Sequence, residues 1–298
     1  MSGATLAPTG WAAGRADRSL REDRGVAPLR ALYVDLDNTL LGAGGSLLLD
    51  GEANITALGV RAIEAALRAG AEVVPITGRR QAGAREAARL LGARAYVFEC
   101  GSAVVLDGEE HWLTGDYRPG EPTIHEQIAA TSAPNLLLAA YHDRLEHHAP
   151  WHRGREVSHL FRGLVDTAAA TALLAQQGHG DLRLLDNGRA VGDYPSLDGL
   201  EQVRVYHLLP AGASKADGVA FHREARGLER EATIAVGDSP EDLACATEVD
   251  RLWLVANAIS DDPTMRHLAA GLPNVRVAEE GHGPGVYEAV ITELAQRR

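Results

Sequence analysis

Residues 31–39 read Ala-Leu-Tyr-Val-Asp-Leu-Asp-Asn-Thr, a short apolar run that changes abruptly into acidic and polar side chains. The apolar part predicts a buried β-strand, with Asp35 and Asp37 at its carboxyl end. Two similar runs lie in residues 73–79, Val-Val-Pro-Ile-Thr-Gly-Arg, and 233–242, Thr-Ile-Ala-Val-Gly-Asp-Ser-Pro-Glu-Asp. Because parallel strands end at one edge of their sheet, these polar groups are expected to meet there.

The segments between these strands have the spacing of amphipathic helices. Apolar residues recur at helical intervals over 55–67, a second helix is expected over 81–91, and a third strand over 95–98. After a strand at 203–206, a helix begins at Lys215. Strands that alternate with helices of this length predict right-handed crossovers and a doubly wound α/β fold with a parallel sheet.

The middle of the chain has a different pattern. It combines two helix-like stretches, a short strand and a hairpin-type Asp-Asn-Gly sequence, which together predict an inserted α+β domain. The helices are expected at 121–145 and 166–177, the strand at 181–185 and the turn at 186–188. The predicted organisation is therefore a core formed by 29–116 and 202–298, with an insertion at 117–201.

Composition and charge exclude several classes of protein. The chain has 298 residues, with 29 basic and 41 acidic side chains and a formal net charge of −12. An acidic protein lacks the general positive surface that nucleic acids and anionic membranes attract, so neither is expected as a partner. Two cysteines are too few for a disulfide framework or a four-cysteine zinc site.

Neither a membrane span nor a signal peptide is expected, and a cytoplasmic location is predicted. Residues 1–28 are rich in Ala, Gly, Arg and Asp without clear periodicity, which predicts either a mobile tail or a misplaced start codon. The sequence leaves open whether the protein is a monomer or a homodimer.

Lys215 is the single lysine among the 29 basic residues of the chain. A chain that otherwise uses arginine throughout has kept one compact ammonium, and the two cations are not interchangeable in binding sites. Lys215 is therefore a candidate functional residue, although one lysine can also arise by drift.

The acidic residues at the strand ends predict a metal site. Carboxylates from 35–37 and from Asp238 and Asp242 would repel one another at the shared edge unless a cation lay between them, and oxygen ligands favour Mg²⁺. Asp35 and Asp37 are two residues apart in an extended segment and point the same way, so one can attack an electrophile while the other handles a proton. Attack on phosphorus would form an aspartyl-phosphate, with Thr77 and Lys215 neutralising phosphoryl oxygens.

The order of these motifs resembles the haloacid dehalogenase superfamily, in its Mg²⁺-dependent phosphatase branch with a cap inserted between the second and third motifs. The segments at Pro210–Lys215 and Val255–Ala258 are similar to the Cof-like sugar-phosphatase subgroup. The resemblance implies a nucleophile at Asp35, a general acid/base at Asp37 and phosphoryl binding by Thr77 and Lys215. It also implies that Asp238 and Asp242 hold Mg²⁺ with Asp35 and the carbonyl of Asp37. The further substrate-binding candidates are Asn38, Thr39, Gly78, Arg79 and Asn257.

Three positions depart from the pattern of that family. Asn38 stands where glycine is commoner, Cys100 where asparagine is usual, and Glu241 where asparagine is frequent in the subgroup. None of these changes removes a group that the chemistry needs. Asn38 is expected to alter a turn, and Cys100, read as a packing residue, to alter the wall that faces the cap.

The resemblance implies a phosphoric monoester hydrolase that acts on a small phosphorylated metabolite, with a sugar phosphate as the expected substrate. A phosphotransferase or phosphomutase would use the same aspartyl-phosphate and remains an alternative. A non-catalytic sugar-phosphate-binding protein is a second alternative. A dehalogenase is disfavoured, because Asp37 would have no leaving-group oxygen to protonate.

The expected cap contains a group of histidines and arginines between residues 141 and 162. A second metal site is conceivable there, but the histidine spacing fits no familiar zinc motif, and a solvated face is the favoured interpretation. Some of the arginines, Arg162 among them, are candidates to reach the leaving group of the substrate. The residues concerned are His142, His147, His148, His152, His159, Arg144, Arg153, Arg155 and Arg162.

Overall fold

A computed structural model describes residues 27–190 and 192–297. In these ranges the chain forms an eight-stranded sheet and a separate four-stranded sheet. Apart from Ala27 and Pro28, the predicted tail lies outside the described residues. None of the helices in the two ranges combines the length and apolar character that a transmembrane span requires.

The elements follow one another in three parts of the chain. The first part forms β1 (Ala31–Asp35), α1 (Leu58–Arg68), β2 (Glu72–Ile76), α2 (Gln81–Leu91), β3 (Ala95–Phe98), β4 (Ala103–Leu106) and β5 (Glu109–Trp112). The middle part forms α3 (Ile124–Ala130), α4 (Ala133–Ala140), β6 (Leu145–His147), β7 (His159–Gly163), α5 (Thr167–Gln176), β8 (Leu182–Arg189) and β9 (Arg204–Pro210). The last part forms α6 (Lys215–Ala225), β10 (Thr233–Gly237), α7 (Pro240–Ala244), β11 (Arg251–Leu254), α8 (Ala256–Asp261), α9 (Thr264–Ala270), β12 (Val275–Val277) and α10 (His282–Gln296).

The larger sheet has the order β12-β11-β10-β1-β2-β3-β4-β5. Its first six strands are parallel, and β4 and β5 continue it as an antiparallel meander. Strand β1 is buried on both faces: Leu32 and Val34 pack with α1 and α10, while Tyr33 packs with α6 and α9. The prediction of a doubly wound α/β core is confirmed.

The smaller sheet is antiparallel, with the order β6-β7-β9-β8. It shares a hydrophobic core with α3, α4 and α5, in which Phe161 and Tyr206 of the sheet meet Ile128, Leu137 and Leu174 of the helices. The inserted α+β unit of the predicted fold is therefore present. Residues 117–210, which contain this sheet and its helices, are called the cap below.

Two predictions about the cap are wrong. The single helix expected over 121–145 is two helices, because Ser132 adopts a left-handed backbone (φ 65°) that interrupts the hydrogen-bond ladder before α4. The sequence at 186–188 is not a hairpin turn but part of β8. There a bulge lies between Asp186 and Arg189, and the Asp186 carboxylate accepts hydrogen bonds from the Gly188 N–H and from Arg204.

The boundary of the insertion also lies further along the chain than expected. Strand β9 pairs with β7 and β8 rather than with the larger sheet. The segment 202–210, which the sequence analysis placed in the core, therefore belongs to the cap sheet. The strand expected at 203–206 is therefore part of β9, one of the two inner strands of the smaller sheet.

Candidate active site

The register of the parallel strands brings the polar segments to one level. Asp35 at the end of β1 is paired with Ile76, the last residue of β2, so Thr77 follows at the same edge. On the other side Val34 is paired with Val236, so the chain leaves β10 towards Asp238 at nearly the same height. The adjacent strands β2, β1 and β10 thus end together.

Lys215 reaches this edge from the first turn of α6. Ser214 caps that helix by accepting a hydrogen bond from the Asp217 N–H at 3.0 Å. The Lys215 ammonium is 2.8 Å from an Asp35 oxygen and 2.7 Å from an Asp242 oxygen, and the side chain is 1% exposed. Lys215 therefore joins carboxylates from two strand ends.

The start of α6 is held close to the turn after β3. Gly101 has a φ of +91°, and a Cβ added there would lie 1.7 Å from the Ser214 carbonyl oxygen. Only glycine permits this approach of two backbone segments. The position of Lys215 thus depends on a residue more than one hundred positions earlier in the chain.

Three carboxylates form a compact acidic group. Oxygens of Asp35, Asp238 and Asp242 all lie within 4.8 Å of one another. One Asp242 oxygen accepts hydrogen bonds from the Ser239 N–H and hydroxyl at 3.0 and 2.7 Å, which leaves the other facing Lys215. Asp238 accepts a hydrogen bond from the Thr39 hydroxyl at 2.6 Å.

Burial and mutual repulsion govern the protonation of this group. Burial raises the pKa of Asp35 to about 7, with a further contribution from Asp242, although Lys215 acts in the opposite direction. Burial and the two neighbouring carboxylates hold the pKa of Asp238 well above its usual range. Burial opposes the charge of Lys215, but Asp242 and Asp35 outweigh it and raise the Lys215 pKa well above its usual range.

These residues fit a divalent cation. If all three carboxylates are ionised, the single Lys215 ammonium leaves two negative charges, which a divalent ion would balance. Hard oxygen ligands are the donor set that Mg²⁺ prefers. Within the described ranges, no other group of three acidic, histidine or cysteine side chains is close enough to share a metal ion.

Asp37 lies beside this group rather than in it. Both of its carboxylate oxygens accept hydrogen bonds from Arg79, at 2.5 and 2.8 Å, and its side chain is 51% exposed. This bidentate pair fixes the direction of the carboxylate. Arg79, predicted to bind substrate, here contacts the expected general acid/base. A contribution of the Asp37 carbonyl to metal binding stays a prediction.

Three other predicted substrate-binding residues lie in or against the loop after β1. Asn38 has a φ of 61°, a left-handed backbone that asparagine tolerates better than most residues, which explains how it replaces the commoner glycine. Asn257 donates to the Asn38 carbonyl at 2.8 Å and accepts from the His282 N–H at 2.9 Å. Asn257 and Thr39 thus support the loop and the acidic group in this structure.

The loop of residues 77–79 lies directly under the cap. Thr77 is buried, and its hydroxyl oxygen accepts a hydrogen bond from the Arg79 N–H at 3.1 Å. A Cβ added to Gly78 would lie 2.7 Å from the Asn187 amide nitrogen and 3.1 Å from the His207 ring. These two cap side chains, which the sequence analysis did not single out, therefore face the expected phosphoryl-binding loop.

Glu241 has a structural role that the sequence analysis did not predict. Its carboxylate accepts a hydrogen bond from the Lys215 N–H at 2.9 Å and lies 3.6 Å from Arg183 of the cap. Burial raises its pKa to about 7. The residue stands out in the sequence only as an acid where asparagine is frequent, yet it holds the start of α6.

The histidines of the cap do not form a solvated face throughout. His159 is 6% exposed and stacks on His125 with ring centroids 3.8 Å apart, so the favoured interpretation is wrong for this residue. His142 is exposed, as expected. Arg162 pairs with Glu146 at 2.6 Å and lies over the Tyr194 ring, so its guanidinium is engaged within the cap.

Comparisons with known proteins agree with this architecture. No protein-family model matches the chain. A phosphoglycolate phosphatase of Methanothermobacter thermautotrophicus is 27% identical over 262 residues, which cover 88% of this chain and 97% of that protein. The chain is therefore similar over most of its length to a protein named as a phosphatase.

Solved structures show the fold. A sucrose-phosphatase from Synechocystis matches with a TM-score of 0.60 and 17% identity, over 89% of this chain and 98% of its own. A phosphatase of the haloalkanoate enzyme superfamily from Bacteroides thetaiotaomicron matches with a TM-score of 0.58 and 14% identity, over 93% of this chain and 99% of its own. These likenesses show that the chain has the same fold as the haloacid dehalogenase-type structures that it matches.

Proposed function

We propose that the protein is a Mg²⁺-dependent phosphatase that hydrolyses a small phosphorylated metabolite through an aspartyl-phosphate on Asp35. The observation that carries this proposal is the buried Lys215 ammonium between Asp35 and Asp242, with Asp238 in the same acidic group. This arrangement supports a mechanism in which Asp35 is the nucleophile, Lys215 is a fixed positive charge and the three aspartates hold the metal ion. Phosphoryl transfer needs mainly such positioning and charge neutralisation.

The reaction follows from these positions in two displacements. A carboxylate oxygen of Asp35 attacks phosphorus, and the bond to the leaving-group oxygen breaks. Asp37, which must first leave its pair with Arg79 and take up a proton, donates that proton to the leaving-group oxygen. A water molecule then attacks the aspartyl-phosphate and gives its proton to Asp37, which releases inorganic phosphate and restores Asp35. Lys215 and the Thr77 hydroxyl stabilise the charge on the phosphoryl oxygens. Bound Mg²⁺ would supply further positive charge to the same oxygens.

A small substrate is supported by the place of the cap. Asn187 and His207 lie against Gly78, so the cap restricts the space beside the phosphoryl-binding loop in this position. Two matching proteins are named as a phosphoglycolate phosphatase and a sucrose-phosphatase. A sugar phosphate or a related small phosphate ester is our proposed substrate class.

Release of inorganic phosphate from a panel of small phosphate esters tests the proposal. We expect turnover with Mg²⁺, loss of turnover in EDTA, and recovery when Mg²⁺ is restored. Formation of an isomeric sugar phosphate would instead indicate a phosphotransferase or phosphomutase. Binding of sugar phosphates without any turnover would contradict a catalytic function and indicate the non-catalytic alternative.

A further inference from the structure

The cap meets the core through a buried ion pair between Arg155 and Glu99. The Arg155 Nε atom lies 3.4 Å from a Glu99 oxygen, and both side chains are almost fully buried, at 4% and 0% exposure. The same oxygen accepts a hydrogen bond from the Ser158 hydroxyl at 2.7 Å. Arg155 and Ser158 lie in the cap, whereas Glu99 follows β3 of the core. This pair therefore joins the two units.

The contact continues into the 77–79 loop. Arg155 donates to the Gly78 carbonyl at 2.5 Å. The two flanking carbonyls accept from the turn after β3: Thr77 from the Cys100 N–H at 3.0 Å and Arg79 from the Glu99 N–H at 3.0 Å. The carbonyls of residues 77, 78 and 79 are thus all held by Arg155 and the turn after β3. The C=O and N–H groups of a trans peptide point in opposite directions. The N–H groups that follow these carbonyls therefore point away from Arg155 and from the turn.

The turn that supplies two of these donors has an unusual backbone. Glu99 and Cys100 are successive non-glycine residues with φ values of 43° and 54°. Such left-handed conformations are disfavoured for residues with a Cβ and persist where the surroundings hold them. The Glu99 carboxylate provides that hold, since it accepts from the N–H groups of Glu156 and Ser158 at 2.8 and 2.6 Å.

The charge on Glu99 depends on the cap as well. Burial alone would raise the pKa of Glu99, but Arg155 and the hydrogen bonds from residues 156 and 158 outweigh it and hold the pKa at about 2. Without Arg155, an ionised carboxylate would be buried without its cationic partner. The cap segment 155–158 and the turn after β3 therefore stabilise each other.

A second buried ion pair also joins the cap to the core but avoids the loop. Arg204 of β9 contacts Asp262 of the core at 2.5 Å and Asp186 of the cap at 2.6 Å. Its hydrogen bonds go to these two carboxylates. Arg204 thus holds the cap without contacting residues 77–79, which makes it a matched control for Arg155.

We propose that Arg155 and Glu99 are positioning residues through which the docked cap sets the backbone of the 77–79 loop for phosphoryl binding. This inference rests on the proposed function of the same site. Docking of the cap and assembly of the phosphoryl-binding loop are then one event. A substrate that lets the cap dock also orients the Thr77 hydroxyl and the adjacent backbone donors.

The test compares Arg155→Met with Arg204→Met. The measurements are kcat and KM for an aryl phosphate with Mg²⁺, the affinity for inorganic phosphate by calorimetry, and thermal unfolding. For Arg155→Met we expect a loss of about 100-fold in kcat and a clear loss of phosphate affinity, because small misplacements of binding groups are costly. For Arg204→Met we expect kcat and phosphate affinity within about threefold of wild type, because Arg204 holds the cap but does not contact the 77–79 loop.

Arg155→Lys keeps a cation beside Glu99 and guards against a failure of Arg155→Met to fold. Its single ammonium cannot replace the fork that spans Gly78 and Ser158. We therefore expect near-normal thermal unfolding with about a tenfold loss of kcat. Equal losses in the Arg155 and Arg204 variants, or wild-type kcat and phosphate affinity in folded Arg155→Lys, would overturn the inference.

Failure of the proposed function is recognised separately. It appears as a wild-type protein that releases no phosphate from any ester in the panel. In that case the phosphate affinities of the same variants still decide the inference, with a selective loss in the Arg155 variants as the expected result and equal affinities as the contradiction.

Discussion

Both the core and the cap contain a cluster of titratable side chains, but the two clusters differ in charge and packing. In the core, Asp35, Asp238 and Asp242 crowd around the Lys215 ammonium. In the cap, His125 and His159 stack face to face with ring centroids 3.8 Å apart. The first group concentrates charge, and the second one buries aromatic rings.

The difference lies in how each group can lose its charge. Burial lowers the pKa of His159 to about 4, so this imidazole is neutral near pH 7 and packs like an aromatic ring. Stacked neutral rings need no counter-ion. Three adjacent carboxylates can avoid repulsion only by taking up protons or by sharing a cation. In the core, burial and mutual repulsion raise the pKa values of Asp35 and Asp238, so a cation beside Lys215 would favour their ionised forms. Such a cluster therefore indicates a site for chemistry, whereas the stacked histidines indicate packing.

The largest expected effect comes from the nucleophile. Asp35→Asn keeps the shape of the side chain but removes the attacking carboxylate, so we expect kcat to fall by roughly 10⁴-fold or more. Asp143→Asn, a change at an exposed acid of the cap, is the matched control and should retain wild-type turnover. Phosphate release by Asp35→Asn at more than a few per cent of the wild-type rate would refute the nucleophile assignment.

Removal of the ammonium should affect both activity and stability. Lys215→Met leaves the buried carboxylates without their cation, so we expect a loss of kcat of about 10³-fold. We also expect a destabilisation of about 3–5 kcal/mol at neutral pH, measured by urea unfolding. Added Mg²⁺ should restore part of that stability, since it can balance the same charges. Stability equal to wild type in EDTA would contradict the charge balance inferred here.

The neutral histidines predict a smaller effect that depends on pH. An unfolded imidazole takes up a proton near pH 6.5, whereas His159 in the folded cap does so at about 4. Between these values the unfolded state binds more protons, so His159 lowers the free energy of unfolding as pH falls from 6.5 to 4, by on the order of 2 kcal/mol.

Urea unfolding of wild type and His159→Leu at pH 7, 5.5 and 4.5 measures this contribution. The variant should lose less stability than wild type over this range. His142→Gln, at an exposed histidine, should follow the wild type. Parallel pH dependences of wild type and His159→Leu would show that the buried imidazole does not titrate as described.

The smallest effect is expected for a cap ion pair that is partly open to solvent. Arg162→Gln removes the contact with Glu146, whose side chain is 29% exposed. Such pairs contribute about 1 kcal/mol or less. We expect a slight shift in thermal unfolding and unchanged kcat. A large loss of kcat would indicate that Arg162 contacts the leaving group, as the sequence had suggested.

The sequence predicts best where the signal is local. The strand ending at Asp35, the helix over 81–91 and the helix that begins at Lys215 all agree with the structure, because apolar spacing and capping residues act over a few positions. The break at Ser132 was missed, since apolar residues continue on both sides of a single left-handed residue. The hairpin turn predicted at 186–188 was wrong because the same residues form a bulge within β8.

The parts of the site that depend on the cap are the least predictable. Glu99 and Arg155 are 56 positions apart, and no local pattern connects them. The acids could be singled out because they follow predicted strands, and Lys215 because it is the single lysine of the chain. Asn187 and His207 lie at that edge because the cap docks on the core. The spacing of residues along the chain does not predict how the two units dock.

Divalent metal binding is the most direct test of the central claim, that carboxylates from separate strand ends share one cation beside Lys215. Calorimetric titration of wild type with Mg²⁺ or Mn²⁺ should show a single site, and Asp238→Asn should weaken it by at least about tenfold. Asp143→Asn should bind like wild type. Equal affinity of Asp238→Asn and wild type, or no binding by either, would contradict the account.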